Sequence, residues 1–470
     1  MTTNGKMTRH LDVHLVTSID LPPDAAPALA PAGIKARVAV SPLPDEAGTH
    51  VSLYLAADWT LPIAALRWLV DQVVRRTRRL FDLGGAGATL NADGVPTAVR
   101  SAIGLDLRRA FGAKRGPNGA GLTLSSPDDE RYATSEDLFR SWVNEDPATR
   151  TSLAIGRDAE ALPSLVELHD LPGRIEVEVL DEAALAEHGL RLLLAVGQAS
   201  TVSPPRLIIA RWEPNNEGVS DTPIMLLGKG ITFDTGGINV KPYESFVSHM
   251  RNDMAGAALV FAAFRHLVLI GYPRPLVMVI PTCENAVGEN AMRPGTVVKS
   301  HRGLNVKIDH TDAEGRLVLA DALSYAEERF APETTLCFAT LTTAALQAYG
   351  PHATPIHFAD AALEHALSQS SLETGEDLHF FPARPWHFEA NRDDEADLKN
   401  TARLTGYMPA AAGSRNAAHF LLHFARHPLV HADIFASTWN WAGDHPGTGF
   451  GATGTPLRTF LRALESLANA

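Results

Sequence analysis

From residue 176 onward, short uninterrupted apolar runs alternate with longer helix-like stretches, and this alternation restricts the fold more than any other feature of the chain. Residues 192–196, 206–210, 224–227, 276–280 and 335–339 read as strands buried on both faces. Residues 183–188, 256–269 and 317–329 read as the helices between them. That order predicts an α/β fold: a mostly parallel sheet covered by helices. Before it, residues 11–16, 34–40 and 51–56 read as strands and 62–83 and 97–111 as helices, which predicts a smaller α/β domain. The chain of 470 residues thus divides into an N-terminal domain, 1–150, a connector, 151–175, within a helical stretch 141–171 that Pro147 and Pro163 break, and a larger domain, 176–470.

Chemistry concentrates where the predicted strands end. The apolar run Ile224 to Leu227 feeds Gly228-Lys229-Gly230-Ile231-Thr232-Phe233-Asp234-Thr235-Gly236-Gly237, continuing to Lys241. Glycines let this backbone fold tightly and approach a ligand, and ligands of α/β sheets gather at the strands' carboxyl ends. It is not a phosphate loop, because Gly230 follows Lys229 where Ser or Thr is required. Further on, His310-Thr311-Asp312-Ala313-Glu314-Gly315-Arg316-Leu317 sets two carboxylates two residues apart. On an extended backbone Asp312 and Glu314 share a face and can grip one cation. The apolar run from Leu317 reads as a helix, so Gly315 and Arg316 lie near its N-terminus, where anions are favoured. A simpler role for both acids is to cap and charge that first turn. Asp253, in Met250-Arg251-Asn252-Asp253-Met254, reads on local grounds as an N-cap. A buried lysine beside cations loses preference for its charged form and can ligate metal, which is the reading for Lys229.

Together these segments resemble the leucyl (cytosol) aminopeptidase family of di-metal exopeptidases. The family octapeptide Asn-Thr-Asp-Ala-Glu-Gly-Arg-Leu is reproduced at every position but the first. The Gly-Lys-Gly loop with a lysine seven residues after its aspartate (Asp234, Lys241) is present, as are Cys283-Glu284-Asn285, Arg293-Pro294-Gly295, Ala339-Thr340-Leu341-Thr342, the stretch Ala396 to Asn400, Asp433-Ile434 and Gly451-Ala452-Thr453-Gly454. The resemblance implies a catalytic domain over 176–470 with two divalent ions, Zn or Mn, with Mg and Co as alternatives. Asp234 and Glu314 would touch both ions, Lys229 and Asp253 would complete one site and Asp312 the other. Lys241 would stabilise the oxyanion, Arg316 would hold a bicarbonate acting as general base, and Met250, His310, Thr340 and Thr343 would line the substrate pocket. It also implies a peptide substrate and a homohexamer. His310 replaces the family's Asn, Thr343 replaces its Gly, and Asp253 falls one residue late, which puts pocket shape in question more than metal binding.

Composition excludes several other classes. A net charge of -13 disfavours nucleic acid as main partner, and the basic run Arg75 to Arg79 reads as the wet face of a helix. Only Cys283 and Cys337 occur, too few for a disulfide framework or a thiolate zinc site. No membrane-length apolar run or secretory h-region is visible, so a cytoplasmic location is expected. His-Glu-x-x-His and Gly-x-Ser-x-Gly are absent, which leaves zincin and serine-hydrolase chemistry without support. The alternatives are a dipeptidase with the same chemistry and a binding or regulatory protein on the same scaffold.

Overall fold

The computed structural model describes residues 10–16, 36–40, 50–57, 88–91, 95–112, 122–123, 126–216, 222–402, 412–441 and 450–468, with Ile63, Leu66, Arg67 and Val70. The basic run at 75–79 lies outside them. The chain forms two compact units. One comprises Met1–Asp137, Gln369–Asp377 and Asn440–Phe450; the other comprises Leu138–Ser368, Leu378–Trp439 and Gly451–Ala470.

The first unit carries a five-stranded sheet of order β2-β3-β1-β4-β5: β1 His10–Val16, β2 Ala36–Val40, β3 His50–Ala57, β4 Ala88–Asn91 and β5 Leu122–Thr123. Only the β2–β3 pairing is antiparallel. Helix Thr97–Gly112 buries Val99, Ala102, Ile103 and Leu107. The same helix carries Asp106, whose carboxylate accepts from Arg67 Nε at 2.8 Å, so the buried charge is compensated.

The second unit contains a nine-stranded sheet. Its strands are β6 Gly173–Leu180, β7 Arg206–Pro214, β8 Ile224–Gly228, β9 Gly230–Asp234, β10 Leu276–Asn285, β13 Thr334–Ala339, β14 Ala353–His357, β15 Asp377–Phe381 and β17 Leu429–Asp433. The short strands β11 Val297–Lys299, β12 Asn305–Lys307 and β16 Leu398–Lys399 form a separate small sheet. The large sheet runs β15-β14-β17-β13-β8-β10-β7-β6, with β9 added beside β10. Its centre, β17-β13-β8-β10, is parallel, and antiparallel partners flank it, β14 beside β17 and β7 then β6 beyond β10. Every residue of β8 is buried, as expected for a strand covered on both faces. Alternation sorts the two layers: Met225, Leu227, Val277, Val279, Cys337 and Ala339 join the core built with helices Arg191–Gly197 and Gly315–Phe330. On the other side, Phe338 meets Phe460 of helix Leu457–Ala468 edge to face, 4.6 Å between centroids.

The strand expected at 192–196 is instead helix Arg191–Gly197. A five-residue apolar run does not distinguish the two states by periodicity. The choice is made by Asp321, whose buried carboxylate accepts the N–H groups of Leu192 at 2.6 Å and Leu193 at 3.4 Å, capping the helix from 128 to 129 residues away.

Helix Ala255–Leu269 lies against β8 and β13 almost backbone to backbone. A Cβ at Gly256 would stand 2.7 Å from Lys229 N and closer still to the Phe338 carbonyl. Both neighbours are main chain and have no rotamer to give. The variant Gly256→Ala is expected to lower unfolding free energy by about 1–3 kcal/mol, the cost of overpacking. A urea midpoint indistinguishable from wild type would contradict this packing.

Candidate metal centre

Lys229 occupies the single residue between β8 and β9. Its N–H donates to Phe338 O at 3.0 Å and its carbonyl accepts from Ala257 N at 2.8 Å, so the main chain is satisfied while the side chain turns inward. Nζ donates to Asp253 Oδ1 at 2.8 Å and to the Thr340 carbonyl at 2.8 Å, and pairs with Glu314 Oε1 at 2.9 Å. Burial lowers the proton affinity of this amine, but the charges of Asp253, Glu314 and Asp234 outweigh it and raise the pKa above the lysine norm. Helix Gly315–Phe330 starts directly over this lysine: a Cβ at Gly315 would stand 2.5 Å from Lys229 Cε and 2.7 Å from Nζ.

Asp234 ends β9. Its Oδ1 accepts from Gly236 N at 2.9 Å and from Asn285 Nδ2 at 2.8 Å, leaving Oδ2 to pair with Lys241 Nζ at 2.8 Å. The loop returns to Lys241 through Gly236 and Gly237, at φ +87° and +66°, a left-handed conformation that favours glycine. Lys241 N closes it on Thr235 O at 2.9 Å, and Nζ also pairs with Asp312.

Asp312 and Glu314 do not share a strand face. The backbone turns at Thr311 and Asp312, with Ala313 N donating to His310 O at 3.2 Å, and Glu314 is already helical at φ −76°, ψ −36°. The acids meet through a turn running into a helix, held from afar by two asparagines. Asn400 Oδ1 accepts Asp309 N at 2.8 Å and its Nδ2 donates to His310 O at 2.7 Å. Asn239 Oδ1 accepts Thr311 N at 2.8 Å. His310 is exposed, and its Nδ1 accepts the Asp312 N–H at 3.2 Å, which places the ring proton of the neutral imidazole on Nε2.

Asp253 is not an N-cap. It lies in the 3-10 turn Val247–Met254; Met254 precedes the helix, and the Asp253 carboxylate faces Lys229 and the Thr340 hydroxyl, which donates to Oδ1 at 2.9 Å. Tertiary partners have claimed a side chain whose local sequence suggests a cap. Of the residues expected to line a substrate pocket, Met250 is buried, Thr340 is buried against Asp253, and Thr343 is exposed at the start of helix Thr343–Tyr349.

Four carboxylates here share two ammonium groups. Burial, then Asp234 and Glu314, push the Asp312 carboxyl up to about 8 against the pull of Lys241. Burial raises Asp253 well above the usual range against Lys229. Glu314 is also buried, yet Lys229 and Lys241 hold it below its ordinary value. Carboxylate oxygens of Asp234, Asp312 and Glu314 lie within 4.8 Å of one another. Among the described residues, the buried atoms Asp253 Oδ2 and Glu314 Oε2 have no hydrogen-bond partner. Excess negative charge, bare buried oxygens and hard oxygen donors with one amine fit divalent cations. Beside the cluster, burial lowers Arg316 to about 10, against the opposing charges of Glu314 and Asp433, and its buried Nε has no partner among the described residues.

Sequence reasoning did not assign roles to Asn285, Asn239, Thr311, Asn400 or Asp433. Asn285, Asn400 and Asp433 stood inside quoted motifs, but their partners are 51, 90 and 91–92 residues away, so spacing carries no sign of what they hold.

Residues 137–461 match the cytosol aminopeptidase family, catalytic domain. A probable cytosol aminopeptidase of Cereibacter sphaeroides is 35% identical over 401 residues, covering 82% of this chain and 78% of that protein. One from Geobacter sp. is 38% identical over 355 residues, 73% and 69% of the two chains, and one from Methylibium petroleiphilum is 39% identical over 292 residues, 62% and 57%. Among solved structures, the bottromycin maturation enzyme BotP in complex with Mn superposes with a TM-score of 0.79 at 27% identity, covering 97% of this chain and 99% of that one. Cytosol aminopeptidase from Coxiella burnetii gives 0.74 at 28% identity, covering 91% and 89%. With the family match spanning both the carboxylate cluster and the strands that deliver it, the chain belongs to the cytosol aminopeptidase family and is a metallo-aminopeptidase.

Proposed function

We propose that this enzyme hydrolyses the N-terminal peptide bond of peptides with two divalent ions, and that residues 176–470 carry the catalytic machinery. The observation that carries the reading is the convergence of Lys229, Asp234, Asp253, Asp312 and Glu314 at the carboxyl ends of β8 and β9 and the start of helix Gly315–Phe330, with buried carboxylate oxygens lacking partners. Asp234 and Glu314 would serve both ions, Lys229 and Asp253 one, and Asp312 the other. Bound ions of this kind supply Lewis-acid polarisation of the scissile carbonyl and lower the pKa of the attacking water. Mn and Zn both suit the donor set, and the Mn in the BotP structure favours trying Mn first.

The chain's own residues do the rest. Asn285 and Gly236 orient the Asp234 carboxylate through hydrogen bonds to Oδ1. Lys241, which pairs with Asp234 and Asp312, would present a positive charge to the oxyanion that develops on the carbonyl. Arg316, at the helix start with its Nε unpartnered among the described residues, would hold a small anion such as bicarbonate, whose chemistry there would be that of a general base. Self-association as a homohexamer in the cytoplasm belongs to the same proposal.

Among the described residues, no helix is long and apolar enough to cross a membrane. A second reading keeps the chemistry and narrows the substrate to one maturing peptide; the match over nearly all of the bottromycin maturation enzyme supports it. A substrate panel tests both. Free-amine peptides of several N-terminal residues should be cleaved and their N-acetylated forms left intact, with particle mass measured in parallel. Cleavage of the acetylated peptides would contradict an aminopeptidase, and turnover of a single sequence in the panel would favour the narrower reading.

A further inference from the structure

Asp433 ends β17 and is fully buried, and its carboxylate collects hydrogen bonds from three segments. Oδ1 accepts from Leu341 N at 3.1 Å and, at 3.4 Å each, from Thr342 N and Phe435 N. Oδ2 accepts from the Thr342 hydroxyl at 2.7 Å. The Ser414 side chain, at the start of helix Gly413–Leu422, donates to it as well. Among the described residues no cation forms an ion pair with it, so backbone and hydroxyl donors carry the cost of its burial.

Its position explains the arrangement. Ala339 and Asp433 are register partners in β13 and β17, and Ile434 N donates to Ala339 O at 2.9 Å. Beyond that bond the ladder stops, and the Asp433 side chain accepts the N–H groups of Leu341 and Thr342, which follow the end of β13. The residue immediately before them is Thr340, whose carbonyl receives Lys229 Nζ and whose hydroxyl donates to Asp253 Oδ1. A carboxylate offers two acceptor oxygens to this set of donors, whereas an amide offers one oxygen and turns an N–H₂ group towards the rest.

We infer that Asp433 is a positioning residue of the metal centre: by holding Leu341 and Thr342 at the end of β13, it aims Thr340 at Lys229 and Asp253 and so sets the affinity of the half-site those two residues form. The inference rests on the two-ion reading above. Asp433 is not among the proposed metal ligands.

The test is a calorimetric titration of metal-stripped protein with Mn²⁺, comparing wild type, Asp433→Asn, Thr342→Val and Asp321→Asn. The last removes a different buried carboxylate, one that binds Leu192, Leu193 and His301 rather than any residue of the centre. Asp433→Asn should weaken one of two ions about tenfold or more, the scale of losing a partner behind a ligand, and leave the other unchanged. Thr342→Val, which deletes one donor and keeps the carboxylate, should weaken the same ion less. Asp321→Asn should titrate like wild type. If Asp433→Asn does not fold, Thr342→Val decides, and two ions bound at wild-type affinity overturn the inference. Equal losses in Asp433→Asn and Asp321→Asn also overturn it, since a general structural role predicts them. A wild-type chain that binds no Mn²⁺ removes the two-ion reading itself, whereas two ions in wild type and in Asp433→Asn with equal affinity remove only the inference.

Discussion

The double variant Asp312→Ala, Glu314→Ala is expected to fold, to bind neither ion and to lose activity by on the order of 10⁴-fold or more, as when a whole catalytic unit is removed. Four carboxylates now face Lys229 and Lys241, and deleting two leaves Asp234 and Asp253 balanced by those ammonium groups. The residual site has no excess negative charge with which to attract a divalent cation. Folding should survive, because the like-charge crowding that helps push Asp312 up to about 8 is relieved. Circular dichroism and ion content per chain check the two halves of the prediction separately. Two ions still bound to the double variant would contradict the site assignment.

The second large effect separates turnover from loading. Lys241→Ala removes a positive charge from beside Asp234 and Asp312 and deletes no proposed metal ligand, so ion content should hold while kcat falls about 10²–10³-fold, the cost of one oxyanion donor. Arg316→Ala should follow the same pattern, slower turnover at unchanged ion content, because Arg316 is a cation beside the cluster and cannot ligate metal. Steady-state kinetics with elemental analysis of the same samples reads both quantities. Loss of ions in step with kcat would place these residues in the metal shell and overturn their assigned roles.

Much of this was legible in the sequence because the chemistry sits in short segments at strand ends. The apolar run Ile224 to Leu227 announced a buried strand, which is β8; the glycine-rich stretch read as a tight loop instead holds strand β9 and turns tightly only at Gly236 and Gly237. Residues 256–269 and 317–329 were readable as helices from their apolar length, and the observed helices differ by at most two residues at either end. What stayed hidden depends on partners distant in sequence. Residues 192–196 became a helix because Asp321 caps them. Asp253 reads as a cap until Lys229 is seen to hold it. The turn through Thr311 and Asp312 owes its shape to Asn239 and Asn400, which no local pattern connects to it. The carboxylates converge as expected, through a geometry different from strand alternation.

The central claim is that two ions loaded onto this carboxylate and lysine cluster are what make the chain an aminopeptidase. Hydrolysis of Leu-p-nitroanilide and Leu-Gly by metal-stripped protein, before and after adding Mn or Zn, with ions counted per chain, tests it most directly. The account predicts no release without metal and restored release as the second ion fills. Full activity in the stripped protein, or loading of metal at some other stoichiometry with no dependence of rate on it, would contradict it.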